Sequence, residues 1–376
     1  MAARGAVAAG RAPGAPGARA ARAALLALVL AGCASLSTPR HHGPPSDHFD
    51  GKRFHNYTRF EDRQIEDALR LGAHTLLGRR GFWAGWEEVP TDTPPRRVTG
   101  DSMRVTFVNH ATVLVQADDL NVLTDPVWSK RVSPVRWLGP KRHRPPGIRF
   151  ADLPPIDLVV VSHDHYDHMD LPTLRRLAAA FHPRIVTGLG NAGYLAKHGV
   201  PGAEEVDWWQ GVPVAPGVRL TGVPAQHWSA RTLGDKWRTL WLGFVIEGPS
   251  GAVYFAGDTG FGEFLPAIRG RFPRFRLAIL PIAPVRPRRA MAPRHLSPGE
   301  AVRADTLLGA ATAVAVHFGT FQQGDDGEDE PVDSLRAALA AAGPRAPRFW
   351  ALRNGEARLV PPLRGADAPA GRATSR

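Results

Sequence analysis

The densest concentration of reactive side chains lies in one heptapeptide, Ser162-His163-Asp164-His165-Tyr166-Asp167-His168. Imidazole and carboxylate are borderline ligands that suit zinc, and both are in their ligating forms near pH 7. His163 and His165 stand two apart, so an extended backbone turns them the same way. Asp167 and His168 follow a turn and can face a second ion, which lets one loop feed two metals. His227, Asp258 and His317 come later in the chain, each after an apolar, strand-like run. Side chains at adjacent strand ends converge on one rim, which is how a sheet builds a metal site. The seven residues His163, His165, Asp167, His168, His227, Asp258 and His317 are therefore the candidate ligands of a dinuclear centre.

The elements that must position them follow from periodicity. Strand-like runs are Met103–Gln116, Asn121–Thr124, Leu158–Ser162, Ile185–Thr187, Val218–Pro224, Trp241–Glu247, Ala252–Ala256, Leu277–Pro281, Ala313–His317 and Phe349–Leu352. The run at 158–162 is continuously apolar, as in a strand buried on both faces. Helical spacing is predicted over 171–181, 190–198, 297–308 and 332–342, with Ser297 as N-cap and Glu300 three residues later. Near 60–79, Ile65, Leu69, Ala73, Leu76 and Leu77 recur at the spacing of an amphipathic helix. Strands interspersed with helices predict a layered α/β fold. Trp208, Trp209, Trp228, Trp237 and Trp241 read as core residues rather than acyl-chain contacts, and the acidic run 325–330 reads as a mobile loop.

The pattern His163-x-His165-x-Asp167-His168, with His227, Asp258 and His317 in order, resembles the signature of the metallo-β-lactamase fold superfamily. Further stretches resemble its branch of N-acyl-phosphatidylethanolamine-hydrolysing phospholipases D. Among them are His110-Ala111-Thr112-Val113, Leu123-Thr124-Asp125-Pro126, Gly139-Pro140-Lys141-Arg142, Pro224-Ala225-Gln226-His227-Trp228 and His317-Phe318-Gly319-Thr320-Phe321. The resemblance runs from about residue 50 to 350. It implies an αββα sandwich with the site at one edge and two Zn²⁺ ions, although these ligands also accept other divalent metals. It further implies that His163, His165 and His227 hold one ion, that Asp167, His168 and His317 hold the other, and that Asp258 bridges them. Gly257 and Gly260 permit the tight turn that presents Asp258.

The chemistry so implied is hydrolysis of a phosphodiester by metal-activated water, with a phospholipid such as N-acyl-phosphatidylethanolamine as substrate. Asp167 and Asp258 belong to the catalytic centre, and His295 matches a site-lining histidine that contacts the phosphate or leaving group. Asp125 either orients a ligand histidine or caps a turn, and His110 either supports a ligand or sits in a turn. Asn109 and Asp164 depart from the branch, which usually carries Gly and Asn there. Other readings stay open at this level: a same-fold lactonase, a hydrolase of soluble phosphodiesters, or a non-catalytic ligand-binding lipoprotein.

The ends carry other information. Arg4, Arg11, Arg19 and Arg22 precede an apolar stretch that ends Leu30-Ala31-Gly32-Cys33. A basic start followed by a short apolar run reads as a secretory signal. The final four residues resemble a bacterial lipobox, which implies cleavage after residue 32 and lipidation of Cys33. Cys33 is the only cysteine, so an internal disulfide is excluded. Expected boundaries are a signal peptide over 1–32, a tether over 33–58, a hydrolase domain over 59–360 and a disordered tail over 361–376. The expected location is the bacterial envelope, lipid-anchored on the periplasmic side, with Ala34 favouring the outer membrane. The formal charge of +12 reads as a solvated arginine-rich face or as a surface suited to acidic partners such as anionic headgroups, while no nucleic-acid motif accompanies it.

Overall fold

The computed structural model describes residues 36–60, 64–135, 137–272 and 274–363. The proposed signal peptide and Cys33 lie outside the described residues, as does the tail beyond residue 363. Among the described residues no helix is long and apolar enough to cross a membrane.

Two seven-stranded sheets form the centre. The first contains β1 (Met103–Asn109), β2 (Thr112–Ala117), β3 (Leu120–Thr124), β4 (Leu158–Val161), β5 (Arg184–Gly188), β6 (Glu204–Val206) and the late strand Ala357–Leu359. The second contains β7 (Gly211–Ala215), β8 (Val218–Val223), β9 (Gly243–Glu247), β10 (Ala252–Phe255), β11 (Phe275–Pro281), β12 (Ala313–Val316) and β13 (Phe349–Trp350). With Ala357–Leu359 as β14, the orders are β14-β1-β2-β3-β4-β5-β6 and β13-β12-β11-β10-β9-β8-β7. The strand pairs β3–β4, β4–β5, β10–β11 and β11–β12 are parallel.

The two-residue period of a strand explains the layers. On β4, Leu158 and Val160 face the core between the sheets, where they share a cluster with Leu277, Ile279, Val314 and Val316. The alternate residues Val159 and Val161 pack outward with Leu171, Leu174 and Leu177 of α2 (Leu171–Phe181) and Leu195 of α3 (Ala192–Lys197). The second sheet does the same. Ala278, Leu280, Ala313 and Ala315 meet α4 (Phe264–Arg271) and α6 (Pro298–Leu308), which flank the short α5 (Arg288–Met291). The result is the αββα sandwich that the resemblance implied. Ser297 and Glu300 form a reciprocal capping box at the start of α6, as their spacing predicts.

The expected tether is corrected from Thr38 onward. Phe49 and Phe54 are buried and paired by a β-bridge, while His48 stacks on Trp208 and bonds Asp207. Polar, proline-containing composition suggested a free segment, but two phenylalanines anchor it. The acidic run is corrected as well. Asp325, Asp326 and Glu328 are buried, because Arg80, Arg286, Arg144 and His74 supply paired positive or donor groups. This run leads into α7 (Glu330–Ala342). Trp208 and Trp241 are core residues, whereas Trp209, Trp228 and Trp237 are only partly buried.

The predicted helix near 60–79 forms as α1 (Gln64–Leu76), with an unexpected orientation. Asp67 and His74 turn inward to Arg294 and Asp325. Leu69 and Leu76 face outward, 71% and 89% exposed.

Candidate metal centre

The heptapeptide leaves β4 and bends at the sheet edge. Ser162 begins the bend: its backbone N–H and hydroxyl both donate to Asp125, at 2.7 and 2.6 Å. Asp125 follows β3 with a φ of 33°, so it reaches across the adjacent strand end. Its Oδ2 also accepts from His168 Nδ1 at 2.6 Å. His163 Nδ1 donates to the Ser162 hydroxyl at 2.8 Å. These outer bonds turn the Nε2 lone pairs of His163 and His168 toward the centre.

His227 is held by a different device. Its backbone N–H donates to Asn56 Oδ1 at 2.9 Å, its carbonyl accepts from Asn56 Nδ2 at 2.8 Å, and its Nδ1 bonds the Arg294 carbonyl at 3.0 Å. His227 Nε2 consequently points to His165 Nδ1 at 3.3 Å, and His163 Nε2 lies 2.8 Å from the same atom. Three imidazole nitrogens thus converge, two of them with their outer nitrogens already donating. One proton on His165 can serve only one of the two facing lone pairs, so the trio fits a cation.

A second group contains Asp167, His168, His317 and, beyond expectation, His110. Asp167 Oδ2 lies 3.1 Å from His168 Nε2, 3.4 Å from His317 Nε2 and 2.9 Å from His110 Nε2. Gln323 Nε2 donates to the same oxygen at 2.9 Å. His317 has a left-handed backbone, φ 65°, and its N–H donates to the His110 carbonyl, which joins the ends of β12 and β1.

Asp258 stands between the groups. Its Oδ2 is 3.0 Å from His317 Nε2, 3.3 Å from His168 Nε2 and 3.7 Å from His227 Nε2. Gly257 before it has a φ of 59°, and a Cβ there would lie 2.6 Å from the Ser162 Cβ. Glycine is required at that point for both conformation and space. His295 Nδ1 is 3.8 Å from Asp258 Oδ2, and its ring lies 5.0 Å from that of His227.

Electrostatics divides the cluster. Burial drives the His163, His165 and His295 pKa values well below the imidazole norm and takes His227 down to about 4 and His110 to about 3. Burial opposes charge on His168 and His317 too. There the Asp258 and Asp167 carboxylates outweigh it, raising His168 well above its usual value and His317 to about 9. Burial likewise disfavours ionised Asp167 and Asp258, yet His168 and the neighbouring imidazoles hold both carboxyls well below their usual range. Buried anions surrounded by imidazoles require positive charge, a demand that divalent cations meet. The buried Nε2 atoms of His168 and His317 and Oδ1 of Asp258 make no hydrogen bond among the described residues, although carboxylate oxygens lie 3.0–3.4 Å from both nitrogens. These residues fit metal.

Asp164, although inside the motif, belongs to neither group. Its Oδ2 accepts from Thr239 at 3.0 Å, and burial raises its pKa to about 7. Arg231 lies alongside, donating to the Asp164 carbonyl. Asn109 donates to the Val127 carbonyl. Three contributors were not evident in the sequence. Asn56 lies in a segment that reads as a tether, and Gln323 carries no motif. Trp228 was read as core, but its ring contacts that of His165 at 4.2 Å.

A model of the beta-lactamase superfamily domain matches residues 120–318, more than half of the chain. An uncharacterized protein of Mycobacterium tuberculosis is 38% identical over 285 residues, covering 74% of each chain. The Caenorhabditis elegans N-acyl-phosphatidylethanolamine-hydrolyzing phospholipase D 1 is 34% identical over 281 residues, covering 68% of this chain and 78% of that one. Among solved structures, a possible metal-dependent hydrolase from Veillonella parvula superposes with a TM-score of 0.54 at 15% identity. That match covers 68% of this chain and 99% of the other.

Proposed function

This chain belongs to the metallo-β-lactamase superfamily as a metal-dependent hydrolase, and on that premise we propose that it is a dinuclear zinc phosphodiesterase of phospholipase D type. The substrate class is N-acyl-phosphatidylethanolamine or a related phospholipid. The observation that carries the dinuclear reading is the position of Asp258, whose one oxygen faces His227 on one side and His168 and His317 on the other. The substrate class is supported by the activity for which the nematode relative is named.

In this reading His163, His165 and His227 would hold one ion, Asp167, His168 and His317 would hold the other, and Asp258 would serve both. The chemistry that zinc would supply there is polarisation of a phosphoryl oxygen and a water made nucleophilic near neutral pH. Asp125 fixes His168 directly and His163 through Ser162, so both imidazoles present Nε2 without reorganisation. His110 and Gln323 both donate to Asp167, which orients its carboxylate and preserves its charge. His295 lies beside Asp258 at the outer side of the cluster, placed to hydrogen-bond a phosphate oxygen or the departing alkoxide. Water attack on phosphorus breaks the bond to the alcohol and leaves a phosphatidic acid.

Metal analysis joined to a hydrolysis panel tests this. The expected result is about two metal ions per chain and turnover of N-acyl-phosphatidylethanolamine and bis-aryl phosphodiesters, both abolished by Asp258→Ala. Lactone turnover with inert phosphodiesters would replace the substrate assignment. A single ion per chain would remove the bridge.

A further inference from the structure

We propose that the outward face of α1, continued by Phe82, docks this protein on an anionic phospholipid bilayer. A surface helix of a globular protein normally buries its apolar stripe and exposes its polar one. Helix α1 does the reverse. Among its described side chains, the inner face presents Asp67, bonded to Arg294, and His74, bonded to Asp325, with Leu71 half-buried between them. Its outer face carries Leu69, Ala73 and Leu76 at helical spacing, all exposed, and Leu77 follows at 63% exposure. Phe82, 83% exposed, extends the strip.

Charge selects the occupant. Glu66 and Asp67 face the arginines Arg289 and Arg294 of the domain. Arg70 and Arg79 stand exposed beside the leucine strip. Apolar side chains flanked by exposed arginines match the boundary between acyl chains and anionic headgroups. A second copy of the chain is a poorer fit. Pairing two copies would bring strips flanked by arginines of the same sign together, which like-charge repulsion opposes.

Position gives docking a purpose. Arg294, which Asp67 holds, offers its carbonyl to His227. Asp325, which His74 holds, lies two residues beyond Gln323, the donor to Asp167. The inner face of α1 therefore grips two segments that line the metal centre, and seating its outer face in lipid brings that centre to the headgroups. Docking itself is independent of which ester the centre cleaves.

The test uses the full chain carrying Cys33→Ala, so that no acyl anchor contributes. Partition onto sucrose-loaded vesicles of equimolar phosphatidylglycerol and phosphatidylcholine is measured by pelleting. The Leu69→Glu/Leu76→Glu variant is expected to lose about tenfold or more in partition. Leu233→Glu, at a leucine 97% exposed outside α1, is expected to retain it. Arg70→Glu/Arg79→Glu should weaken binding to these vesicles and leave binding to pure phosphatidylcholine unchanged. Thermal unfolding by circular dichroism verifies each fold. If the double glutamate variant melts early, Leu76→Ser replaces it, with an expected loss of about threefold. Equal pelleting of the leucine variant and its parent overturns the proposal. So does a parent that stays in the supernatant, or a leucine variant whose only change is dissociation of a dimer.

Discussion

Asp125 and His168 meet through a 2.6 Å hydrogen bond, and neither side chain has any solvent exposure. The same carboxylate also accepts both donors of Ser162, so one buried anion fixes the rotamer of His168 and the bend that begins the histidine loop. Groups that orient a metal-binding histidine typically contribute 10–100-fold to metal affinity. Asp125→Ala is therefore expected to lower zinc affinity by about that factor, with Asp125→Asn intermediate. Competition titration with a chromogenic chelator measures it. Wild-type affinity in Asp125→Ala would refute the role.

Asn56 makes three bonds at once: two to the backbone of His227 and one from the Trp241 indole. Removing its amide strands buried backbone groups of His227, at a cost of about 1–3 kcal/mol. Asn56→Ala is expected to lower the melting temperature and to reduce kcat/KM for a soluble phosphodiester by roughly tenfold, in line with that energy. Unchanged melting and turnover together would show the contact to be dispensable.

Asp305 on α6 is a buried carboxyl whose two oxygens lack a hydrogen-bond partner among the described residues, and burial raises its pKa to about 7. The unfolded chain titrates this group near 3.9. Between those values the folded state holds a proton that the unfolded state has released, so stability falls as pH rises from about 4 to about 7 and then levels. Asp305→Asn removes the penalty. It should stabilise the protein at pH 8 by on the order of 2–4 kcal/mol and far less at pH 4. Denaturant melts at the two pH values, at matched metal loading, check this; a gain independent of pH would exclude ionisation as its source.

The candidate centre was largely legible in the sequence because its ligands follow apolar strands. Leu158–Val161, Ala252–Phe255 and Ala313–Val316 announce themselves by continuous burial, and a His or Asp after such a run must lie at a sheet edge. The capping pair Ser297 and Glu300 was legible for a similar reason, since it is local. What escaped depends on distant partners. Asn56 looks like a tether residue until Phe49 and Phe54 anchor its segment. The acidic run looks solvated until Arg80, Arg144 and Arg286 fold around it. Strands Glu204–Val206 and Ala357–Leu359 are three residues long and partly polar, and Gly211–Ala215 is interrupted by a proline, so neighbouring strands rather than local pattern make them strands. The spacing of the leucines in α1 predicts a helix, but periodicity alone cannot say which side faces inward.

The last strand of the first sheet, β14, pairs with β1 through Arg104 and Leu359. More than two hundred residues separate those partners, so the outer edge of β1 has nothing to pair with until nearly the whole polypeptide has left the ribosome. An unsatisfied edge of that kind invites pairing with other chains. Translation that stops short of residue 357 thus leaves the seven-residue β1 as the sheet's edge in place of the three-residue β14, and a longer bare edge is the better template for aggregation.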